Sequence, residues 1–165
     1  MNRFKPSRAP EIVVRSATAA DAAAISALLR DAFLLFEPLY TPAAFASTVL
    51  DEAGILARLH QGPLWVGESR SSIIGTVGAV RIADVVTIRG MAVHPLARGC
   101  GVGRALLDCV EGFAAHERVR LLELYTTAFL DQAIRLYLAA GFAFSSETIN
   151  PHGTELLRMT KTLNG

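Results

Sequence analysis

Apolar residues recur along this chain at two spacings, and the change from one to the other outlines the elements. Ile12-Val13-Val14 is a short apolar run that predicts a strand. Ile25, Leu28, Leu29, Ala32, Phe33 and Phe36 then repeat at helical spacing. Thr18 opens that helix, Asp21 three residues on completes a capping-box-like start, and Pro38 ends it. Thr41 and Pro42 supply an N-cap and a first helical position for a second helix. Phe45, Val49, Ala53, Leu56 and Leu59 give its predicted buried face, and Gly62-Pro63 stops it. Three strands follow: Leu64 to Glu68, Ile73 to Ile82 and Val85 to Val93. Ser69 to Ser72 and Ala83-Asp84 read as their turns, and Gly75 and Gly78 lie inside the middle strand.

Val102, Ala105, Leu106, Cys109, Val110 and Phe113 fall at i, i+3, i+4, i+7, i+8 and i+11, a helical stripe with Arg104, Asp108 and Glu111 opposite. Val119 to Thr126 predicts a strand and Phe129 to Ala140 a helix with Gly141 as a left-handed cap. Phe142 to Ile149 and Thr154 to Thr160 are two last strands around the turn Asn150-Pro151-His152-Gly153. The predicted order is β-α-α-β-β-β-α-β-α-β-β. Hairpins flanking one strand-helix-strand crossover predict an α/β (α+β) fold, a mixed and mostly antiparallel sheet with helices packed on it.

Composition narrows this further. The chain has 165 residues, 52% of them hydrophobic and 19% charged, as expected of a globular protein with one real core. Residues 1–10 read as a basic, flexible start and residues 11–165 as a single domain. Sixteen basic and fifteen acidic residues nearly cancel, so no basic field points to nucleic acid or an anionic membrane surface. No apolar run reaches the roughly 20 residues of a membrane helix, and the first ten residues lack a signal-peptide core. Cys100 and Cys109 form no metal or disulfide pattern and are expected as buried, reduced thiols in a cytoplasmic protein.

One stretch carries candidate chemistry. Gly90-Met91-Ala92-Val93-His94-Pro95 leads into Arg98-Gly99-Cys100-Gly101-Val102-Gly103-Arg104, the end of a strand, a glycine-rich bend and a first helical turn. Free N–H groups and the positive end of a helix make such a turn an anion cradle, most often for phosphate. A dinucleotide fingerprint needs glycines at relative positions 1, 3 and 6 after a first strand. Here they stand at 1, 3 and 5, and Arg104 takes the sixth place. No Lys-Ser or Lys-Thr follows, as a nucleoside triphosphate loop requires. A turn that binds nothing has little use for three alternating glycines, each of which costs backbone entropy.

The same residues resemble the acetyl-coenzyme-A motif of the GCN5-related N-acetyltransferase (GNAT) family, a Gln or Arg, two residues, a Gly, one residue and a Gly or Ala. Arg98, Gly101 and Gly103 fill it. Ala133 to Phe142 resembles that family's second landmark, a helix ending in Tyr, three residues and Gly-Phe, met here by Tyr137, Gly141 and Phe142. The element order agrees over roughly residues 11–160, which implies the acyl-CoA N-acyltransferase fold, with helices on both faces of the sheet.

The resemblance implies acetyl-CoA as the acetyl donor and a primary amine of a small molecule or peptide as acceptor, with direct transfer between them. Backbone groups of Arg98, Gly99, Cys100, Gly101, Val102, Gly103 and Arg104 would surround the pyrophosphate. Met91, Ala92 and Val93 would pair with the pantetheine arm, and Tyr137 would protonate the leaving thiolate. Two glutamate positions used by relatives hold Thr87 and Tyr125 here, so Glu123 is the nearest carboxylate. It reads either as the base or as a salt-bridge partner, with Arg89 as one candidate. Leu130 stands where relatives often have an asparagine against the cofactor. Phe33, Phe36, Tyr40 and Tyr125 are candidate acceptor walls, between the first two helices and the last hairpin, and His94 reads as structural. No metal site is expected. A homodimer through sheet edges or terminal strands is the family's habit. The missing glutamates support one rival, a non-catalytic acyl-CoA-binding or regulatory module.

Overall fold

The computed structural model describes residues 11–164. The flexible start expected over residues 1–10 lies outside them. The chain enters through β1 (Val13–Ser16) and a 3-10 turn, Ala19–Asp21, before α1 (Ala22–Phe33). The predicted capping interaction is there: Thr18 N–H donates to Asp21 Oδ2 at 2.8 Å. A second 3-10 stretch, Leu34–Leu39, extends α1 and contains Pro38.

The expected second helix is two. α2 (Pro42–Thr48) starts as predicted, with Thr41 Oγ1 accepting from Ala44 N–H at 3.1 Å. It then stops, and α3 (Glu52–Leu59) begins afresh. The reason is Asp51, whose Oδ1 accepts the Gly54 N–H at 2.8 Å and caps a new first turn. Restarting the axis rotates the buried face. Ile55 is buried, while Ala53 and Leu56, expected inside, are exposed.

The strands β2 (Leu64–Ser69), β3 (Ser72–Ile82), β4 (Val85–Val93), β5 (Leu121–Thr126), β6 (Ala143–Ile149) and β7 (Leu156–Thr162) join β1 in one sheet of order β1-β2-β3-β4-β5-β7-β6. Only β4 and β5 run parallel, joined by the crossover helix α4 (Val102–His116). α5 (Asp131–Ala139) links β5 to β6. The mixed, mostly antiparallel sheet is therefore as expected, with strand ends shifted by two residues or fewer.

Alternation along the strands sends side chains to two cores. Leu64 and Val66 join Ile25, Leu29 and Ile55 beneath α1 and α3. Trp65 points the other way, its ring 6.0 Å from that of Phe113 on α4. Val77, Leu106, Val110, Leu122 and Met159 build that second core under α4 and α5. Helices thus cover both faces. The cysteines correct the expectation of two buried thiols: Cys100 is exposed because it lies in the loop before α4, and Cys109, at the edge of the helix stripe, is half-buried.

Candidate active site

The sheet opens at its centre. β4 and β5 pair only from Val85–Leu121 to Thr87–Glu123. Beyond that point they part, and the backbone edge of β4 from Ile88 to Val93 no longer has β5 as a partner. The cause is local. Between the pairs Thr76–Ala92 and Gly78–Arg89, one residue of β3 opposes two of β4, which is a β-bulge at Gly90-Met91. Gly90 adopts φ +58°, a conformation that glycine accepts readily. A cavity of about 970 Å³ occupies the parting. Met91, Ala92 and Val93 line one side of it, and Leu124 and Thr126 the other.

At one end of the cavity stands the glycine turn. Gly99 and Gly101 have φ +78° and +86°, so their need for glycine is conformational. A Cβ on either would meet nothing within 4 Å, which leaves an open cradle. Gly103 serves a different need. It is helical, and a Cβ there would lie 2.6 Å from Leu136 Cδ2, so its absence lets α4 and α5 approach. The first hydrogen bond within α4 runs from Ala105 N–H to Gly101 C=O, at 3.1 Å. The N–H groups of Val102, Gly103 and Arg104 therefore face outward without helical partners. Arg98, Gly99, Gly101, Val102, Gly103 and Arg104 all line the cavity, whereas Cys100 does not.

The two guanidinium groups beside this turn have local partners. Arg98 Nη2 donates to Ala32 C=O at 3.1 Å and ties the turn to α1. Arg104 Nε pairs with Asp108 at 3.0 Å. Anion attraction here comes mainly from backbone N–H groups and the helix end. His94 Nδ1 accepts from Leu96 N–H at 3.2 Å, which suits the structural role expected of it. An open backbone edge, free N–H donors and an uncrowded glycine cradle together fit an extended ligand with a pyrophosphate at this end.

Tyr137 reaches the cavity from α5, largely buried against Phe142 at a ring separation of 6.0 Å. Burial pushes its phenol pKa above the ordinary value. Leu130 also lines the cavity and offers no polar side chain there. The Thr127 hydroxyl is a polar group that the sequence did not single out. It is buried at the cavity wall beside Tyr40, and among the described residues it has no partner at hydrogen-bond geometry.

Glu123 and Tyr125 share one face of β5, and both line the cavity. Glu123 Oε1 accepts from Thr87 Oγ1 at 2.8 Å, and Oε2 accepts from Arg158 Nε at 2.8 Å. Its salt-bridge partner is thus Arg158, not Arg89, because the β5–β7 register sets Arg158 opposite Tyr125. Among the described lining residues Glu123 is the only carboxylate. Phe33, Phe36 and Tyr40 are brought to the same cavity. Phe129, which the sequence had only as a helix start, stacks on Phe36 at 6.1 Å and meets Tyr40 edge-on at 4.9 Å. Arg58, Arg89 and Arg135 line the cavity too. Arg58 is not legible in the sequence as a cavity residue, because the apolar spacing runs α2 and α3 together as one helix with a different inner face.

A profile of the acetyltransferase (GNAT) family matches residues 23–142. Among curated proteins, the probable N-acetyltransferase family 8 member 5 of Mus musculus is 32% identical over 87 residues, 49% of this chain and 38% of that protein. N-acetyltransferase 8 of Rattus norvegicus is 32% identical over 90 residues, 51% of this chain and 40% of that protein. The chain spans about two fifths of the length of these relatives. Among solved structures, the PaiA N-acetyltransferase of Thermoplasma acidophilum in complex with coenzyme A superposes with a TM-score of 0.80 at 15% identity, covering 93% of this chain and 99% of that one. The YncA structure of Salmonella typhimurium with its cofactor acetyl-CoA gives 0.71 at 24% identity, over 93% and 94%. The strand parting, the glycine turn and the buried tyrosine agree with a family match over well more than half of the sequence, and the chain belongs to the GNAT acetyltransferase family.

Proposed function

We propose that residues 11–165 act as an N-acetyltransferase that moves the acetyl group of acetyl-CoA directly to an amine acceptor. The observation that carries this reading is the parting of β4 from β5, which joins the N-terminus of α4 to Tyr137 through one cavity. Acetyl-CoA supplies an activated thioester carbonyl and a thiolate leaving group.

The protein's own groups divide the remaining work. Backbone N–H groups of Val102, Gly103 and Arg104 hold the pyrophosphate at the helix end. The unpaired edge of β4 at Met91, Ala92 and Val93 offers strand-like hydrogen bonds to the pantetheine amides. A backbone N–H near Val93 polarises the carbonyl as charge develops on its oxygen. Transfer forms a C–N bond and breaks a C–S bond, so one proton must leave nitrogen and one must reach sulfur. Tyr137 donates the latter. Glu123 receives the former, directly or through a water. Each carboxylate oxygen can accept two hydrogen bonds, so one site on each remains beside Thr87 and Arg158. Phe33, Phe36, Tyr40 and Tyr125 wall the acceptor side, and Cys100, exposed and outside the cavity, leaves no thiol for an acyl-enzyme.

The rival reading, a cofactor-binding module without turnover, rests on the engagement of Glu123 by Arg158. Isothermal titration with acetyl-CoA and release of free thiol with a panel of amines separate the two. We expect binding together with acceptor-dependent thiol release. Binding without release on any amine would support the module, and no binding would remove the assignment.

A further inference from the structure

The cavity contains a positive charge that the proposed transfer does not use. Arg58 extends from α3 across the inner face of the sheet, its Cδ 3.7 Å from where a Cβ on Gly78 would lie. Its guanidinium fills the space that a side chain on Gly90 would take, directly over the bulge where β4 leaves β5. Among the described residues it has no ion-pair or hydrogen-bond partner, and its charged neighbour is another cation, Arg89. Arg89 shares the inner face of β4 with Thr87, and its Nη1 is held by Gln61 Oε1 at 3.3 Å.

The one carboxylate among the described lining residues, Glu123, is already engaged by Arg158. Glu123 and Glu147 both bind Arg158, at 2.8 and 3.1 Å. Two like charges are thus gathered at a partly desolvated wall, and among the described residues neither has a carboxylate partner. Burial and Arg89 both push the Arg58 guanidinium below its ordinary pKa, which states the same imbalance. Such a group is costly unless a ligand neutralises it.

Resting on the acetyl-transfer reading above, we infer that Arg58, assisted by Arg89, binds a carboxylate of the acceptor, so that the substrate is an amino acid or another amine carrying a carboxylate close to the reacting nitrogen. A planar guanidinium fork matches a carboxylate in two parallel hydrogen bonds. Its place over the bulge sets that anion near the proposed thioester end. The same charge repels diamines and polyamines. The aromatic group of Phe36, Tyr40 and Phe129 suits an apolar remainder on such a substrate.

The test compares near-isosteric pairs that differ in the carboxylate: L-phenylalanine with phenethylamine, and L-leucine with isopentylamine. Acetyl-CoA binding is measured first on the same protein. The wild type is expected to prefer the acid of each pair by roughly 30-fold or more in kcat/KM. Arg58→Gln should collapse that ratio toward one, mainly through KM for the acid, and Arg58→Lys should fall between. A fold defect would lower both members of a pair together and leave the ratio standing, which would overturn the assignment. So would equal use of both members by the wild type. If acetyl-CoA binds and no carboxylate-bearing amine binds or reacts, the carboxylate site is wrong while the cofactor half stands. Failure to bind acetyl-CoA would instead remove the reading beneath it.

Discussion

Tyr137 has the simplest chemistry of the site residues and the most restrictive surroundings. As the proposed acid, its hydroxyl serves only while protonated. Burial raises its pKa above the ordinary 10.0, so the proton is retained throughout the neutral range. The wild-type profile of kcat should therefore have no falling limb from this group below about pH 10. Tyr137→Phe should lower kcat about 100-fold or more with little change in acetyl-CoA affinity, measured by steady-state kinetics and titration. Full activity would make it a packing residue. Glu123 is held by two donors, Thr87 and Arg158. Glu123→Gln should reduce kcat/KM by about 100-fold with little change in acetyl-CoA affinity. Arg158 keeps Glu147 at 3.1 Å in that variant, so thermal unfolding should still be cooperative. Unaltered kcat/KM would give the proton to bulk water.

At the scale of elements, the bulge decides most. Gly90 combines a positive φ with the guanidinium of Arg58 above it. Gly90→Ala should cost about 1–2 kcal/mol from the backbone conformation alone, read by chemical denaturation. It should also weaken acetyl-CoA binding, because the open edge of β4 begins there. Unchanged affinity would show that the cofactor does not use that edge. The strand, turn and helix from Val85 to His116 were legible from alternation, three glycines and a helical stripe. The break between α2 and α3 was not. The apolar spacing from Phe45 to Leu59 runs through it, and a single capping aspartate outweighs that periodicity. Asp51 followed by Glu52 was the available signal.

For the whole molecule, the first strand is fastened to the first helix by charge. Arg15 donates to both oxygens of Asp21 at 2.8 Å and to Glu68 at 2.6 Å. Hydrogen bonding from Arg15 holds the Asp21 carboxyl at about 2, below the ordinary 3.8. A depressed carboxylate contributes stability above its unfolded pKa, and the contribution fades as pH falls from about 4 toward 2. Asp21→Asn should remove that part of the acid-unfolding slope, measured by fluorescence against pH. A parallel slope in the variant would count against it. Across the molecule, Thr41 N–H donates to Thr154 Oγ1 at 3.0 Å, and Thr41 Oγ1 donates to His152 C=O, which ties α2 to the turn between β6 and β7.

The sequence by itself determined the order of elements, the mixed sheet, the glycine turn and the tyrosine helix. Each of these is written in local signals: periodicity, caps, and glycines where φ is positive. Tertiary structure decided what meets across the sheet. Glu123 pairs with Arg158 because β7 inserts between β5 and β6, a register no local pattern encodes. Gly103 proved to serve helix packing, while Gly99 and Gly101 serve backbone conformation. Arg58 reaches the bulge from a helix whose inner face depends on the Asp51 cap, far in sequence from the end of β4 at Val93. The donor half of the site follows from neighbours in sequence and could be read there; the acceptor half is assembled from distant segments and became visible only in the fold.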